Sequence, residues 1–363
     1  MSVNPPVYIV ASVRTATGAF RGSLSPLSAV ELGSHVIKGK KIESSFAKTA
    51  CTTINKVCAS SMKAITLAAQ TIQLGHAEVV VAGGTESMSG CPNYSDGKRT
   101  INGLVTDGLT DAYGRNEHMG SKAEVCAKTH SIGREEQDNY AVESYRRALA
   151  ATKEGLFRGE IIPIKVAAPG QKPVLVREDE SLVKFDEEKL RSLPPIFVPP
   201  ASGGTVTAAN SPALADGASV IILMSEAKLQ ALGVRPLAKF LGFADADTHP
   251  GSFTTAPALA LPKALDRAKV SIDNIDAFEI NEAFAVAALA NLKLLGLDTS
   301  KVNMHGGAVA LGHALANSGS RILTTLLGVL HQEQKRQDKR RILGAAAICA
   351  GGGSSVAVVV EKL

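Results

Sequence analysis

Apolar and polar positions follow two patterns along this 363-residue chain: short continuous apolar runs, and longer stretches with apolar residues at helical spacing. The first run, "VYIVAS" (7–12), predicts a buried strand. "SPLSAVELGSHVIKG" (25–39) predicts a helix with a serine start and a glycine stop. "TACTTINKV" (49–57) is rich in Thr, Ile and Val and predicts another strand. After Cys58, "ASSMKAITLAAQTIQLG" is apolar or small on nearly every face, which predicts a buried helix closed by Gly75. "AEVVVAGGTES" (77–87) predicts a strand running into a glycine turn.

The C-terminal part repeats this plan. "NMHGGAVALGHALANSGSRILTTLLGVL" (303–330) reads as a glycine-rich lead into a long apolar helix. "RILGAAAICAGGGSS" (341–355) reads as a strand into a glycine turn, with "SSVAVVVEK" as its return strand. Both parts run reactive residue, buried helix, strand, then Gly-Gly and a serine, so a duplicated β-α-β fold with two facing sites is predicted. Residues 90–200 differ: they are charged and loop-rich, with a helical stretch at 133–155 and an extended connector, "LPPIFVPPASGG", at 193–204. They read as an insertion covering a site rather than as a separate globule.

Composition narrows the function classes. The chain is 45% hydrophobic, enough for two domain-sized cores or two halves sharing one. Aromatics are 4% with no Trp, a poor basis for stacking nucleic-acid bases. A formal charge of +5 suits an anionic ligand and is too small to imply DNA binding. The basic run "KRQDKRR" (335–341) reads as a solvated loop. Cys51, Cys58, Cys91, Cys126 and Cys349 form no CxxC pair and no metal-ligand spacing. This odd count, with no presequence read at the N-terminus and no membrane-length apolar run, predicts reduced thiols in a cytoplasmic protein.

Three glycine-rich turns each carry one reactive side chain: Cys58, His313 and Cys349. A fourth segment, "FEINEAFAVAALANL" (278–292), places Asn281 and Glu282 between a strand and an Ala-rich helix. Taken singly, each has an ordinary structural reading: the cysteines as small core residues, His313 as a bonded turn residue, Asn281-Glu282 as a helix start, and His118 as a loop residue. Taken together, at matching ends of a duplicated fold, they can supply a thiolate nucleophile, its base, amides for a thioester oxyanion and a second acid/base. That set fits carbon–carbon bond chemistry on thioesters better than hydrolysis. A nicotinamide enzyme is disfavoured, since no GxGxxG follows the first strand.

"NKVCASSMKAI", "VVVAGGTESMS", "HMG" (118–120), "NEAFA" (281–285), "GGAVALGH" (306–313) and "ICAGGG" (348–353) resemble, in order, the signature motifs of the thiolases, specifically the acetoacetyl-CoA type. The resemblance covers nearly the whole chain. It implies an α/β thiolase fold: duplicated halves in a layered αβαβα sandwich with an inserted loop domain at about 90–200, the halves spanning 1–211 and 212–363. It implies that Cys58 carries the acyl group, that His313 activates it and with Asn281 holds the enolate, and that Cys349 moves the α-proton. Amides of Cys58 and Gly351 would form the oxyanion hole. His118 and Met119 would line the pantetheine channel, with Ala283 and Phe284 near the reacting carbons. Acetyl-CoA and acetoacetyl-CoA are the implied substrates, with no resident cofactor, no nucleic acid and no membrane, in a homodimer or homotetramer. Asn281 and Cys349 argue against a ketoacyl synthase, which pairs Cys with two His.

The chain departs from the family pattern in places. Between the helix at 25–39 and the segment at 49–57 it is short by one β-α unit of roughly 30 residues. Ala314 stands for the usual Pro, Ala316 for Gly, His305 for Asn and Ser61 for Gly. "EDESLVKFDE" lacks the tyrosine that helps bind potassium in some members. Two alternatives stay open: an impaired thiolase-like paralogue that binds CoA, and a 3-ketoacyl-CoA thiolase of broader chain length.

Overall fold

The structure, a computed structural model, describes residues 5–39, 49–95, 97–113, 116–167, 170, 172–337 and 341–363. The first half contains β1 (Val7–Arg14), α1 (Ala29–Gly39), α2 (Ser60–Gln73) and β2 (Val79–Ser87). Then come α3 (Met119–His130) and α4 (Arg134–Lys153) of the insertion, and β3 (Ala215–Ser225). The second half contains β4 (Ala238–Asp247), α5 (Pro257–Ala268), β5 (Ala277–Ile280), α6 (Ala285–Leu295), α7 (Ser318–Gln337), β6 (Ile342–Ala350) and β7 (Ser354–Lys362).

The strands join in the order β5-β6-β7-β4-β1-β3-β2, with the short strand Gly18–Ala19 also on β3. The two halves mirror each other about the β4–β1 contact: β6 and β2 each follow a buried helix, and β7 and β3 each pair antiparallel with them. The predicted return strand is β7, and its residues alternate between two cores. Val356, Val358 and Val360 face α2 and α7, while Ala357 and Val359 face α5. Likewise Ile221 and Leu223 of β3 face the central helices, and Ala218 and Val220 face α1. The layers therefore run α1, the first-half strands, α2 with α7, the second-half strands, α5, with one curled sheet supplying both strand layers of the expected five-layer sandwich. Met62 and Ile65 of α2 and Ile322, Leu323 and Leu326 of α7 are wholly buried between these strand layers.

The structure fixes four boundaries, three of which differ from expectation. The helix at 25–39 starts at Ala29, because Ser28 and Glu31 cap it reciprocally. The long helix of the second half starts at Ser318, after the glycine turn and two short helical turns. β3 pairs with β1 and β2, so the first half runs past residue 211 to the end of this strand. Residues 49–57 are not a strand; they run without ladder bonds into a 3-10 turn, Val57–Ala59. The second half shows why. There β5 pairs in parallel with β6, and Val302 bridges onto Phe278 of β5. In the first half no strand among the described residues pairs with the other edge of β2, so 49–57 has nothing to bridge to. Accordingly β6 is buried throughout, while most of β2 is half-buried. The expected shortening at 40–48 itself lies outside the described residues.

The insertion is no independent globule. Arg14 of β1 pairs with Glu160 at 2.7 Å and Asp179 at 2.7 Å, and Arg147 of α4 donates to the Val302 carbonyl at 2.7 Å.

Candidate active site

Cys58 lies in the 3-10 turn just before α2 and is buried. The Ser60 hydroxyl shapes the turn: it accepts from the Lys56 amide at 2.8 Å and donates to the Val57 carbonyl at 2.6 Å. Val57 has φ +49°, a conformation a β-branched residue adopts only under tertiary constraint. Burial pushes the Cys58 thiol up to about 12. The amides of Gly351 and of Cys58 itself lie against the sulfur and work the other way, favouring negative charge there. They are the two amides expected to form the oxyanion hole.

Cys349 ends β6 beneath the same space and packs with Met119, Ala283 and Phe284. Burial raises its pKa too, and charge on Cys58 raises it further, so the two thiols share one environment. His313 follows the short helix Ala308–Leu311, where Gly312 takes φ +102° to turn the chain. Its Nε2 is 3.5 Å from Asn281 Nδ2, and its Nδ1 is 2.5 Å from Ser318 Oγ. Burial lowers the His313 pKa to about 3, helped by the positive charge of Arg321. The resting pair is thus a neutral thiol and a neutral imidazole.

Asn281 follows β5 and is held by its amide bond to the Ala347 carbonyl at 2.9 Å. The neighbouring Glu282 carboxylate accepts from Tyr140 Oη (2.9 Å), Ser144 Oγ (2.9 Å), Asn303 Nδ2 (3.0 Å) and the Val309 amide (2.8 Å). It ties α4, the Asn281 turn and the approach to His313 into one rigid node, a role that no local sequence pattern signals.

A cavity of about 360 Å³ joins Cys58 and His313, while Asn281 and Cys349 lie just behind its lining, against His313 and against Met119, Ala283 and Phe284. Cys58, His313 and Gly351 line its base, and His118, Met119, Ala283 and Phe284 its walls. His118 caps α3, its Nδ1 accepting the Gly120 amide at 3.0 Å, and burial lowers its pKa. Phe197 joins them without having been expected from the sequence: it stacks on His118 with ring centroids 4.9 Å apart and meets Phe284 edge-on at 6.4 Å. Its only signal was an aromatic inside the Pro-rich connector.

The comparisons with known proteins give the family. The models of the thiolase N-terminal and C-terminal domains match residues 41–227 and 234–362. The chain belongs to the thiolase family. It is 43% identical to a cytosolic acetyl-CoA acetyltransferase of Gibberella zeae, covering 92% of this chain and 93% of that protein. It is 46% identical to acetyl-CoA acetyltransferase 2 of Arabidopsis thaliana, covering 93% of each. Among solved structures, the Acat5 thiolase of Ascaris suum in complex with coenzyme A superposes with a TM-score of 0.89 at 40% identity, over 99% of this chain and 100% of that one. The Gibberella alignment spans 375 positions, whereas 92% of 363 residues is about 334. That relative therefore has about 40 positions without a counterpart in this chain.

The departures from the thiolase pattern are mostly absorbed away from the cavity. The Ser61 hydroxyl accepts the Ser320 amide at 2.9 Å on the far side of the turn. His305 meets Phe157 edge-on at 5.9 Å and does not line the cavity. The Ala316 amide donates to Glu86 at 3.0 Å. In the segment lacking the tyrosine, Asp179 is taken up by Arg14, and Glu180 by the amides of Ala19 and Ser23. These acids are engaged within the protein, and among the described residues no group of three or more His, Cys, Asp or Glu is placed to hold a metal.

Proposed function

We propose that this chain is an acyltransferase, an acetyl-CoA C-acetyltransferase that reversibly joins two acetyl-CoA into acetoacetyl-CoA and CoA. The observation that carries this reading is one cavity lined by Cys58, with two amides at its sulfur, and by His313, with Asn281 Nδ2 3.5 Å from His313 Nε2 and the second thiol, Cys349, packed against the wall residues Met119, Ala283 and Phe284. The names of the Gibberella and Arabidopsis relatives, and the CoA complex of the Ascaris thiolase, support the substrate class.

The neutral resting pair suits general-base attack. The Cys58 sulfur bonds to the acetyl carbonyl carbon as its proton passes to His313 Nε2, and the amides of Cys58 and Gly351 hold the oxyanion. The bond to the CoA sulfur breaks, and the leaving thiolate takes the Cys349 proton. The Cys349 thiolate then removes an α-proton from a second acetyl-CoA, whose enolate oxygen is held by the His313 imidazolium and Asn281. The enolate carbon attacks the Cys58 thioester, a carbon–carbon bond forms, and Cys58 leaves with the proton returned by His313. The walls at His118, Met119, Phe197 and Phe284 would hold the pantetheine arm. The enzyme works without a resident metal, in the cytosol like its named Gibberella relative, as a homodimer or homotetramer.

The test is incubation with acetyl-CoA, acid quench and peptide mapping, alongside CoA-dependent cleavage of acetoacetyl-CoA. An acetyl mark on the Cys58 peptide with turnover is expected; a mark only on Cys349 overturns the assignment. A second reading, a CoA-binding paralogue of low turnover, draws on the edge of β2 with which no strand among the described residues pairs. It would show the Cys58 mark without appreciable turnover.

A further inference from the structure

We propose that Ser318 is a positioning residue that fixes His313 in the tautomer carrying hydrogen on Nδ1. Ser318 Oγ lies 2.5 Å from His313 Nδ1 and 2.9 Å from the Ala314 carbonyl oxygen. A hydroxyl has one hydrogen, and a carbonyl can only accept. The hydroxyl donates to Ala314, so toward the imidazole Ser318 accepts, and Nδ1 is the donor. Nε2 is then bare on the cavity side. There it meets the Nδ2 amide hydrogens of Asn281 at 3.5 Å, an acceptor facing a donor. The opposite tautomer would set Nε2–H against that amide group. Ser318 is itself rigid: it opens α7, is buried, and its own amide bonds the Ala314 carbonyl at 3.0 Å.

One turn along α7, Arg321 places a positive charge behind the same imidazole, its partner Glu279 lying 3.7 Å away. A second proton on the ring is thereby opposed, and the hydroxyl decides where the single proton sits. Ser318 touches no substrate; it acts through His313. The inference rests on His313 serving as base for Cys58, since that role requires a bare Nε2.

The test uses the full-length enzyme labelled with ring-¹⁵N histidine, with the His313 signals assigned by their loss in His313→Asn. The wild type is expected to show Nδ1 protonated and Nε2 bare at neutral pH, and Ser318→Ala a mixture of tautomers. Ser318→Ala should lower kcat for acetoacetyl-CoA cleavage about 10–100-fold, part of what a positioned base contributes, with KM within about twofold. Ser318→Thr, which keeps the hydroxyl, should recover most of that loss. Hydrogen on Nε2 in the wild type overturns the proposal, as does an unchanged tautomer in Ser318→Ala or a kcat loss that Thr does not recover. The spectra decide even if no turnover is found, so failure of the proposed activity is distinguishable from failure of this assignment.

Discussion

Replacing His313 with Asn should make the protein lose less stability on acidification than the wild type does. The imidazole pKa falls from 6.5 to about 3 on folding because burial, and then Arg321, oppose its charged form. The unfolded chain therefore binds a proton between these values that the native state refuses, and stability falls as pH drops through 6.5 toward 3. At pH 5 the unfolded imidazole is about 1.5 pH units below its pKa, which at 1.36 kcal/mol per unit costs the native state about 2 kcal/mol relative to pH 7.5. That is a large share of a typical stability margin of about 5–15 kcal/mol. The assay is denaturant unfolding of wild type and His313→Asn at both pH values, comparing the acid-induced loss within each protein so that other titrating groups cancel. The wild type should lose about 2 kcal/mol more than the variant. Equal losses would refute the reasoning: the folded imidazole would then gain its proton at the same pH as the unfolded one, and burial and Arg321 would not be opposing its charged form.

Other outcomes follow from the same geometry. Cys349→Ser should lower acetoacetyl-CoA cleavage by at least about 100-fold and acetylation of Cys58 far less, read by quench and mass mapping, because a CoA thiolate leaves without a proton donor far more readily than a carbon gains or loses its proton without one. Phe197→Ala removes the ring stacked on His118, so KM for acetoacetyl-CoA should rise about threefold to tenfold with kcat within about twofold, in steady-state kinetics. Inserting a strand–helix pair between Gly39 and Thr49, copied from the β5–α6 pattern of the second half, should pair with the edge of β2 that no described strand occupies, raise the melting temperature and promote assembly in sedimentation. An unmodified chain that already sediments as a stable oligomer with full turnover would show the unit to be dispensable.

The duplicated plan was legible because it rests on local chemistry. A β-branched run, a glycine turn and a small-residue helix each announce themselves within ten residues, and their recurrence around Cys58 and Cys349 pointed to two facing ends of one fold. The hairpin of β6 and β7 was readable for the same reason. Asn281 and Glu282 were legible as a strand end, but the four donors that converge on Glu282 come from α4, Asn303 and Val309, and no sequence window contains them all.

By itself the sequence determined which residues carry reactive groups, that two similar halves exist, that α2 is a buried helix and that α7 is long and apolar. Tertiary structure decided the rest. The segment at 49–57 has strand composition, yet a strand exists only through ladder bonds to a neighbour, and none of the described strands is there to supply them. Ser61 follows the nucleophile closely, but the close packing of α2 on α7 turns its hydroxyl to the Ser320 amide instead of the cavity. Phe197 became a wall of the site only because the connector at 193–204 crosses His118 and Phe284. Local propensity sets what a segment can become; the partners that the fold brings within hydrogen-bond or contact distance decide which possibility is lowest in free energy.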